Sequence, residues 1–218
     1  MTISPKKFQE EISDTILAVA MDTEEKIVRS PERRRMIALT QGCLLVEAPT
    51  GSGKTVTIGH AVDRICKTLG HPVVWFWFAP FAGLVDQTRD ALAEHFPTLN
   101  VRTPKTDRDI DQIQNGDVFI STWASVAALN KDTRKIRDNE ISLDNLIAGL
   151  RADGWFIGAV IDEAHHSFRG ETQALRFYSE VLRPDLTVLA TATPRDRDVA
   201  EFKRKTGIAD INQMTVSR

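Results

Sequence analysis

The sequence lacks what a secreted, membrane-spanning or strongly charged protein would need. Only two cysteines, Cys43 and Cys66, occur in 218 residues. That is too few for a disulfide scaffold, and each sits in an apolar stretch, as a small buried hydrophobe does. No apolar run approaches a membrane span, and the most apolar segment, Val73 to Phe81, is far too short. Charge of neither sign dominates: 28 Lys and Arg stand against 30 Asp and Glu, a formal net charge of −2. Whole-molecule attraction to nucleic acid or anionic lipid is thereby excluded, so a nucleic-acid contact has to come from a local groove or patch. Internal repeats and low-complexity tracts are also missing. The N-terminus, MTISPKKFQEEISD, turns polar where a signal peptide would turn apolar, which predicts a cytoplasmic protein with no membrane partner.

What is present is an ordinary folding composition, 42% hydrophobic and 27% charged, in a chain long enough for one large domain. Strand-like and helix-like segments alternate, which predicts an α/β fold with a mostly parallel sheet and helices on both faces. Short buried strands are expected at Cys43 to Ala48, Val73 to Pro80, Val118 to Ser121, Phe156 to Asp162 and Leu186 to Ala190. Helical spacing links Phe8, Ile12, Ile16 and Val19 after a Ser4-Pro5 start. It also links Ile58, Val62, Ile65 and Leu69, closed by Gly70 and Pro72, and Leu84, Thr88, Leu92 and Phe96. Ser30-Pro31-Glu32 reads as a further helix start capped by Ser30. Arg33-Arg34-Arg35 reads as a solvated helix face, and the charge-rich stretch Asn130 to Asn145 as an exposed, part-helical excursion.

Ala48-Pro49-Thr50-Gly51-Ser52-Gly53-Lys54-Thr55 follows a strand and opens a helix, the context a phosphate-binding loop requires. Its first position is Ala48 where the strict pattern has glycine, so the match is to a relaxed form. Glycines let the backbone amides curl inward around phosphate oxygens, and the helix dipole adds positive potential. Thr50, Gly51, Ser52, Gly53, Lys54 and Thr55 are therefore candidate ATP ligands, with Lys54 on the outer phosphates and the Thr55 hydroxyl on Mg²⁺. Downstream, an apolar strand runs straight into Asp162-Glu163-Ala164-His165-His166. Adjacent side chains at a strand end diverge, so Asp162 can hold Mg²⁺ while Glu163 orients or deprotonates the attacking water. Two histidines beside the carboxylates also suggest a zinc site, but there is no HExxH spacing and both cysteines are distant in sequence.

With these motifs the chain resembles the superfamily-two helicases and translocases of the DEAH type, and in detail their restriction-subunit (Res) branch, from Gln9 to Pro194. The resemblance implies a RecA-like P-loop fold and a nucleic-acid-dependent ATPase acting on DNA ahead of RNA. It implies that Gln9 recognises adenine, and that Pro80, Leu84, Gln87 and Thr122 belong to segments that contact the nucleic-acid backbone. Thr191 and Thr193, in Thr191-Ala192-Thr193-Pro194, would couple the nucleotide site to strand separation by exchanging hydrogen bonds with His165.

Only 24 residues follow Pro194, too few for the second RecA-like domain that carries the arginine finger in such motors. Residues 1–218 are accordingly expected to be a single N-terminal ATP-binding domain, weakly active alone, working with a second motor domain in the same protein or in a partner subunit. A nucleotide-dependent switch or assembly ATPase that never touches nucleic acid is the alternative.

Overall fold

The computed structural model describes residues 6–127, 134, 141–165 and 172–216. Its strands form one seven-stranded sheet in which every pairing is parallel. In chain order the strands are β1 (Cys43–Glu47), β2 (Val73–Ala79), β3 (Asn100–Arg102), β4 (Asp117–Thr122), β5 (Phe156–Ile161), β6 (Leu186–Thr191) and β7 (Asn212–Thr215). In space they run β3-β4-β2-β5-β6-β1-β7. The helices are α1 (Lys7–Arg29), α2 (Arg34–Gln41), α3 (Lys54–Thr68), α4 (Ala82–His95), α5 (Leu143–Ala152), α6 (Thr172–Arg176) and α7 (Asp196–Thr206). A π-helical turn, Phe177–Leu182, extends α6. No helix among the described residues is long and apolar enough to cross a membrane.

The five expected strands are all present, each within a residue or two of its expected ends. Strands β2, β5 and β6 are buried along their whole length, because a parallel sheet covered on both faces needs apolar side chains in both directions. Alternation along β2 divides the core. Val74, Phe76 and Phe78 face α5, α6 and α7, whereas Val73, Trp75, Trp77 and Ala79 face α1, α3 and α4. Both Trp75 and Trp77 are fully buried.

Gly158 lies opposite Trp75 in the β2–β5 register, and a Cβ there would sit 2.4 Å from Trp75 Cε3. The indole occupies the space a side chain would need. Both cysteines are buried and unbridged, and burial pushes the Cys66 thiol up to about 12.

Three expectations need correction. Ser30 makes no side-chain cap, and Pro31–Arg33 is a 3₁₀ turn after which α2 begins at Arg34. The arginine run is not a solvated face, since only Arg33 is exposed. Arg34 donates from Nε and Nη2 to the two oxygens of Asp185, at 2.7 and 2.6 Å, and from Nη2 to the Trp155 carbonyl. Asp185, 1% exposed, also accepts from the Ile157 amide at 2.8 Å. Burial alone would lower the Arg34 pKa, but its bonds to Asp185 outweigh this and hold it above the ordinary value. Arg35 donates to the Ser179 carbonyl.

The stretch from Asn130 to Asn145 lies largely outside the described residues, but its described part is not an exposed excursion. Arg134 is buried in a two-bond pair with Asp144, at 2.9 and 2.6 Å. Ser142 caps α5 by accepting from the Asn145 amide. Ser4-Pro5 lies outside the described residues.

Removing Arg34 leaves the Asp185 carboxylate buried and half-satisfied, so Arg34→Ala should cost about 3 kcal/mol in urea unfolding. Gly158→Ala should cost about 1–3 kcal/mol by overpacking against Trp75. The cost should shrink in the Trp75→Leu background, and strict additivity of the two substitutions would disprove the contact.

Candidate active site

Strands β5, β6 and β1 are neighbours in the sheet, so the segments leaving their carboxyl ends emerge side by side. The turn after β1 is shaped by two left-handed glycines, Gly51 at φ 77° and Gly53 at φ 85°. Gly53 is the N-cap of α3, and its carbonyl accepts from the Thr57 amide at 2.9 Å and the Thr57 hydroxyl at 3.0 Å. A Cβ at Gly53 would approach Gln9 Nε2 to 2.8 Å, so glycine is required here by both conformation and space. Gln9 reaches the same turn from α1. Its Nε2 donates to the Ser52 carbonyl at 3.2 Å, while its Oε1 accepts from the Lys6 amide at 2.8 Å. Ser52 Oγ is buried and has no hydrogen-bond partner among the described residues. Thr50 is exposed and Thr55 half-buried.

Lys54 opens α3 and is 9% exposed. Its Nζ donates to the Ala48 carbonyl at 3.0 Å and the Pro49 carbonyl at 3.4 Å, and lies 3.7 Å from Glu163 Oε1. A buried ammonium folded back over its own loop is a cation held ready for an anion.

The acidic pair is anchored by β2, where the Phe78 carbonyl accepts from the Asp162 amide at 2.8 Å. Glu163 follows at φ 45°, a left-handed conformation that costs a non-glycine residue about 1 kcal/mol or more. Its amide donates to Asp162 Oδ1 at 2.9 Å. Burial pushes the Asp162 carboxyl up to about 6, with the Glu163 carboxylate adding to the rise. The Glu163 amide and the Lys54 ammonium oppose it. His165 Nδ1 lies 2.9 Å from Thr191 Oγ1 and 3.4 Å from Glu163 Oε2. Thr191 Oγ1 also accepts from the Thr193 amide at 3.3 Å. Gln9, the glycine-rich turn, Lys54, Glu163, His165, Thr191 and Thr193 thus form one connected cluster, with Asp162 at its floor. The Thr55 hydroxyl and Asp162 carboxylate are hard oxygen donors of the kind Mg²⁺ takes.

The remaining candidates lie on the other half of the same rim, beyond β2 and β4. Thr122 ends β4 and lines a groove with Ser121, Ser125, Thr103, Lys105 and Arg89. Pro80, Leu84 and Gln87 do not line it; Ala82, Val85, Asp86 and Arg89 form its α4 side. Leu84 packs against the tryptophan-side core and Gln87 is exposed. Thr103 and Lys105 escaped sequence reading because the three-residue edge strand before them, β3, carries no usable periodicity, and Arg89 because the pattern of α4 does not say which of its faces borders the groove.

The all-parallel sheet with a glycine-rich turn after β1 and an acidic strand end two strands away is the RecA-like fold of superfamily-two helicase domains. Within that class, a family model described as "Type III restriction enzyme, res subunit" matches residues 2–196, and the chain belongs to that family. Among solved structures it is similar to the Pyrococcus furiosus Hef helicase domain, at 16% identity and a TM-score of 0.57 over 97% of this chain and 38% of that one. It is also similar to the bacteriophage T4 UvsW helicase, at 10% identity and a TM-score of 0.55 over 97% of this chain and 61% of that one. A third neighbour is the Sulfolobus solfataricus SWI2/SNF2 ATPase core, at 16% identity and a TM-score of 0.52 over 82% of this chain and 34% of that one. The chain therefore spans less than two thirds of the length of each of these neighbours. No match to this chain is found among curated proteins.

The raised Asp162 pKa has a measurable consequence. Between the ordinary value of 3.8 and about 6 the folded chain binds a proton that the unfolded chain has released. Stability contributed by this group is therefore full below that window and falls as pH rises through it. Asp162→Asn, which can keep the bond from the Glu163 amide, should stabilise the metal-free chain at pH 7 by up to about 3 kcal/mol. The gain should fade as pH drops toward 4.5. Urea unfolding of both proteins at the two pH values checks it, and a pH-independent difference would show that the carboxyl is not the cause.

Proposed function

We propose that residues 1–218 are the N-terminal ATP-hydrolysing motor domain of a DEAH-type helicase or translocase acting on nucleic acid, DNA ahead of RNA. The observation that carries this reading is the meeting of Lys54 with Glu163 at 3.7 Å, beside a buried Asp162, at the carboxyl ends of the parallel strands β1 and β5, which flank β6. Open parallel sheets bind their ligands at such a rim. The amides from Thr50 to Gly53 and the amino end of α3 would cradle phosphates. Lys54 would exchange its carbonyl partners for the outer phosphate oxygens, and Gln9 would take the adenine. Thr55 and Asp162 would hold Mg²⁺, which offsets phosphate charge when bound. Glu163 would orient and deprotonate water, with Lys54 leaving it as phosphate binds. His165, through Thr191 and Thr193, would report the state of the site to β6 and the turn after it.

The groove bordered by Thr122 would follow the nucleic-acid backbone, with Pro80, Leu84 and Gln87 shaping the turn and helix beside it. DNA is favoured because the Sulfolobus neighbour is an ATPase core in complex with double-stranded DNA. A second RecA-like domain, in the same protein or in a partner subunit, would close the cleft and supply an arginine finger, a group worth about 10³- to 10⁵-fold in rate.

Residues 1–218 should bind Mg²⁺-ATP and Mg²⁺-ADP, hydrolyse ATP slowly, and turn over faster with the second domain and DNA. Lys54→Ala should abolish nucleotide binding, whereas Glu163→Gln should keep binding and stop hydrolysis. Calorimetry and phosphate release test both. Brisk turnover unaffected by Glu163→Gln would refute the assignment, and turnover indifferent to DNA and RNA in the two-domain protein would favour a switch or assembly ATPase.

A further inference from the structure

Helix α1 brings Gln9 to the phosphate loop one turn before its own buried face begins. Lys7, Glu10 and Glu11 are exposed, and Ile12 and Ser13 are the first buried positions. From there Ile12, Ile16, Ala20 and Ile27 share a core cluster with Ile58, Ala61, Val62 and Ile65 of α3. Apolar packing is non-directional, so it presses α1 onto α3 without fixing how far the helix rolls or slides. Polar contacts set that register. At the carboxyl rim Gln9 Nε2 donates to the Ser52 carbonyl at 3.2 Å. Further along, Arg64 Nη1 of α3 donates to Ser13 Oγ at 3.1 Å and to Asp14 Oδ1 at 2.6 Å. Near the other end Glu24 Oε1 accepts from the His71 amide at 2.9 Å. The two helices therefore run side by side in the same direction, Gln9 beside the start of α3 and Glu24 beside its end.

The Arg64 tie bears most closely on Gln9. Ser13 is fully buried and four residues on, so it shares a face with Gln9 about 6 Å along the axis. The Gln9 bond to Ser52 has little slack. At 3.2 Å it stands at the upper end of the ordinary range of about 2.7–3.2 Å, and a shift of α1 by about half an ångström ends it. Held this way, the side chain keeps capacity for a ligand. Its amide has two donor hydrogens and two acceptor lone pairs. Among the described residues one donor goes to Ser52 and one lone pair to the Lys6 amide. The donor and acceptor left over match the N7 and N6 edge of adenine, whereas guanine offers two acceptors there.

We propose that Arg64 is a positioning residue for the nucleotide base: through Ser13 and Asp14 it fixes α1 in the register that holds the Gln9 amide over the phosphate loop, and so sets the preference for adenine. The proposal rests on the reading of Gln9 given under Proposed function and adds the residue that makes it effective. Arg64 itself touches neither base nor phosphate. Its side chain is 32% exposed and that of Asp14 64%, and so open a pair adds little to folding stability. What it contributes is placement, which makes its effect separable from a general loosening of the domain.

The test is calorimetric binding of Mg²⁺-ATP and of Mg²⁺-GTP to the 218-residue chain, since the two nucleotides share ribose and phosphates and differ only in the base. Arg64→Ala should weaken ATP by about 2- to 12-fold, the worth of one hydrogen bond, and leave GTP unchanged. Asp14→Ala should act in the same direction. Exchanging the charges, Arg64→Asp with Asp14→Arg, should restore most of the preference, and the unfolding midpoint should move little in any of these variants. In the Gln9→Ala background, where the preference is already gone, Arg64→Ala should have no further effect. Equal weakening of ATP and GTP by Arg64→Ala would overturn the proposal, because the arginine would then act on the phosphate loop as a whole. Loss of the preference in Gln9→Ala but not in Arg64→Ala would also overturn it, while leaving the role of Gln9 intact. Equal affinity of the native chain for ATP and GTP would remove both.

Discussion

Everything in this fold follows from strands that all run one way. A parallel strand cannot be joined to its neighbour by a hairpin, so each needs a crossover of a dozen residues or more. Those crossovers cover both faces and return the chain to the same edge. Carboxyl ends therefore collect on one rim whatever their order in the sequence. Here the order β3-β4-β2-β5-β6-β1-β7 places the ends of β5, β6 and β1 side by side and those of β2 and β4 next to them. One half of the rim receives Lys54, Asp162, Glu163 and Thr191, and the other receives Phe81, Ser121 and Thr122. The boundary between them is β2, whose Phe78 carbonyl holds the Asp162 amide. Its ring meets Trp123, the residue after Thr122, edge to face at 5.0 Å.

The carboxyl rim is costly to hold. A carboxyl at 7% exposure, an ammonium at 9% and a left-handed glutamate are gathered in one cluster, the ammonium 3.7 Å from the glutamate. None of these contributes to the core, and each would be cheaper elsewhere. The offset comes from strands β2, β5 and β6, buried throughout. Trp75 packed over Gly158 locks β2 to β5 directly beneath the acidic end. Removing strain at the rim should therefore stabilise the chain while disabling its chemistry, the trade-off expected of a site shaped for a ligand.

How much of this could be read in advance depended on range. Apolar runs of five to seven residues identified the central strands, because burial on both faces leaves an unbroken signature. Edge strands β3 and β7 escaped, since Asn100–Arg102 and Asn212–Thr215 are short and mostly polar. The glycine-rich turn and the acidic strand end were legible because their chemistry is local. Their approach was inferable only through the parallel sheet. The groove was half legible: Thr122 was anticipated, but the groove face of α4 carries Val85, Asp86 and Arg89 rather than Leu84 and Gln87. A short motif identifies a helix start without saying which side of it turns toward a neighbour. The π turn and the αL Arg183 had no sequence signal.

The arginines show where local reading fails most. Arg33-Arg34-Arg35 looks solvated because its partners are far away in sequence: Asp185 is 151 residues from Arg34 and Ser179 is 144 from Arg35. At the amino ends of β5 and β6 these side chains meet Arg151, which donates to the Leu182 and Arg183 carbonyls at 2.7 Å each. Burial holds the Arg151 pKa below its ordinary value, with Asp185 opposing and neighbouring guanidiniums adding to the fall. Three guanidiniums around one carboxylate would repel, were it not for the carbonyls ending the π turn, which carry the negative end of a helix dipole. The amino rim thus uses its charges up in tying α2, α5 and the π turn to the sheet. The carboxyl rim leaves its charges available. Strand direction, one property of the backbone, separates the end that holds the fold together from the end that has something left to offer a ligand.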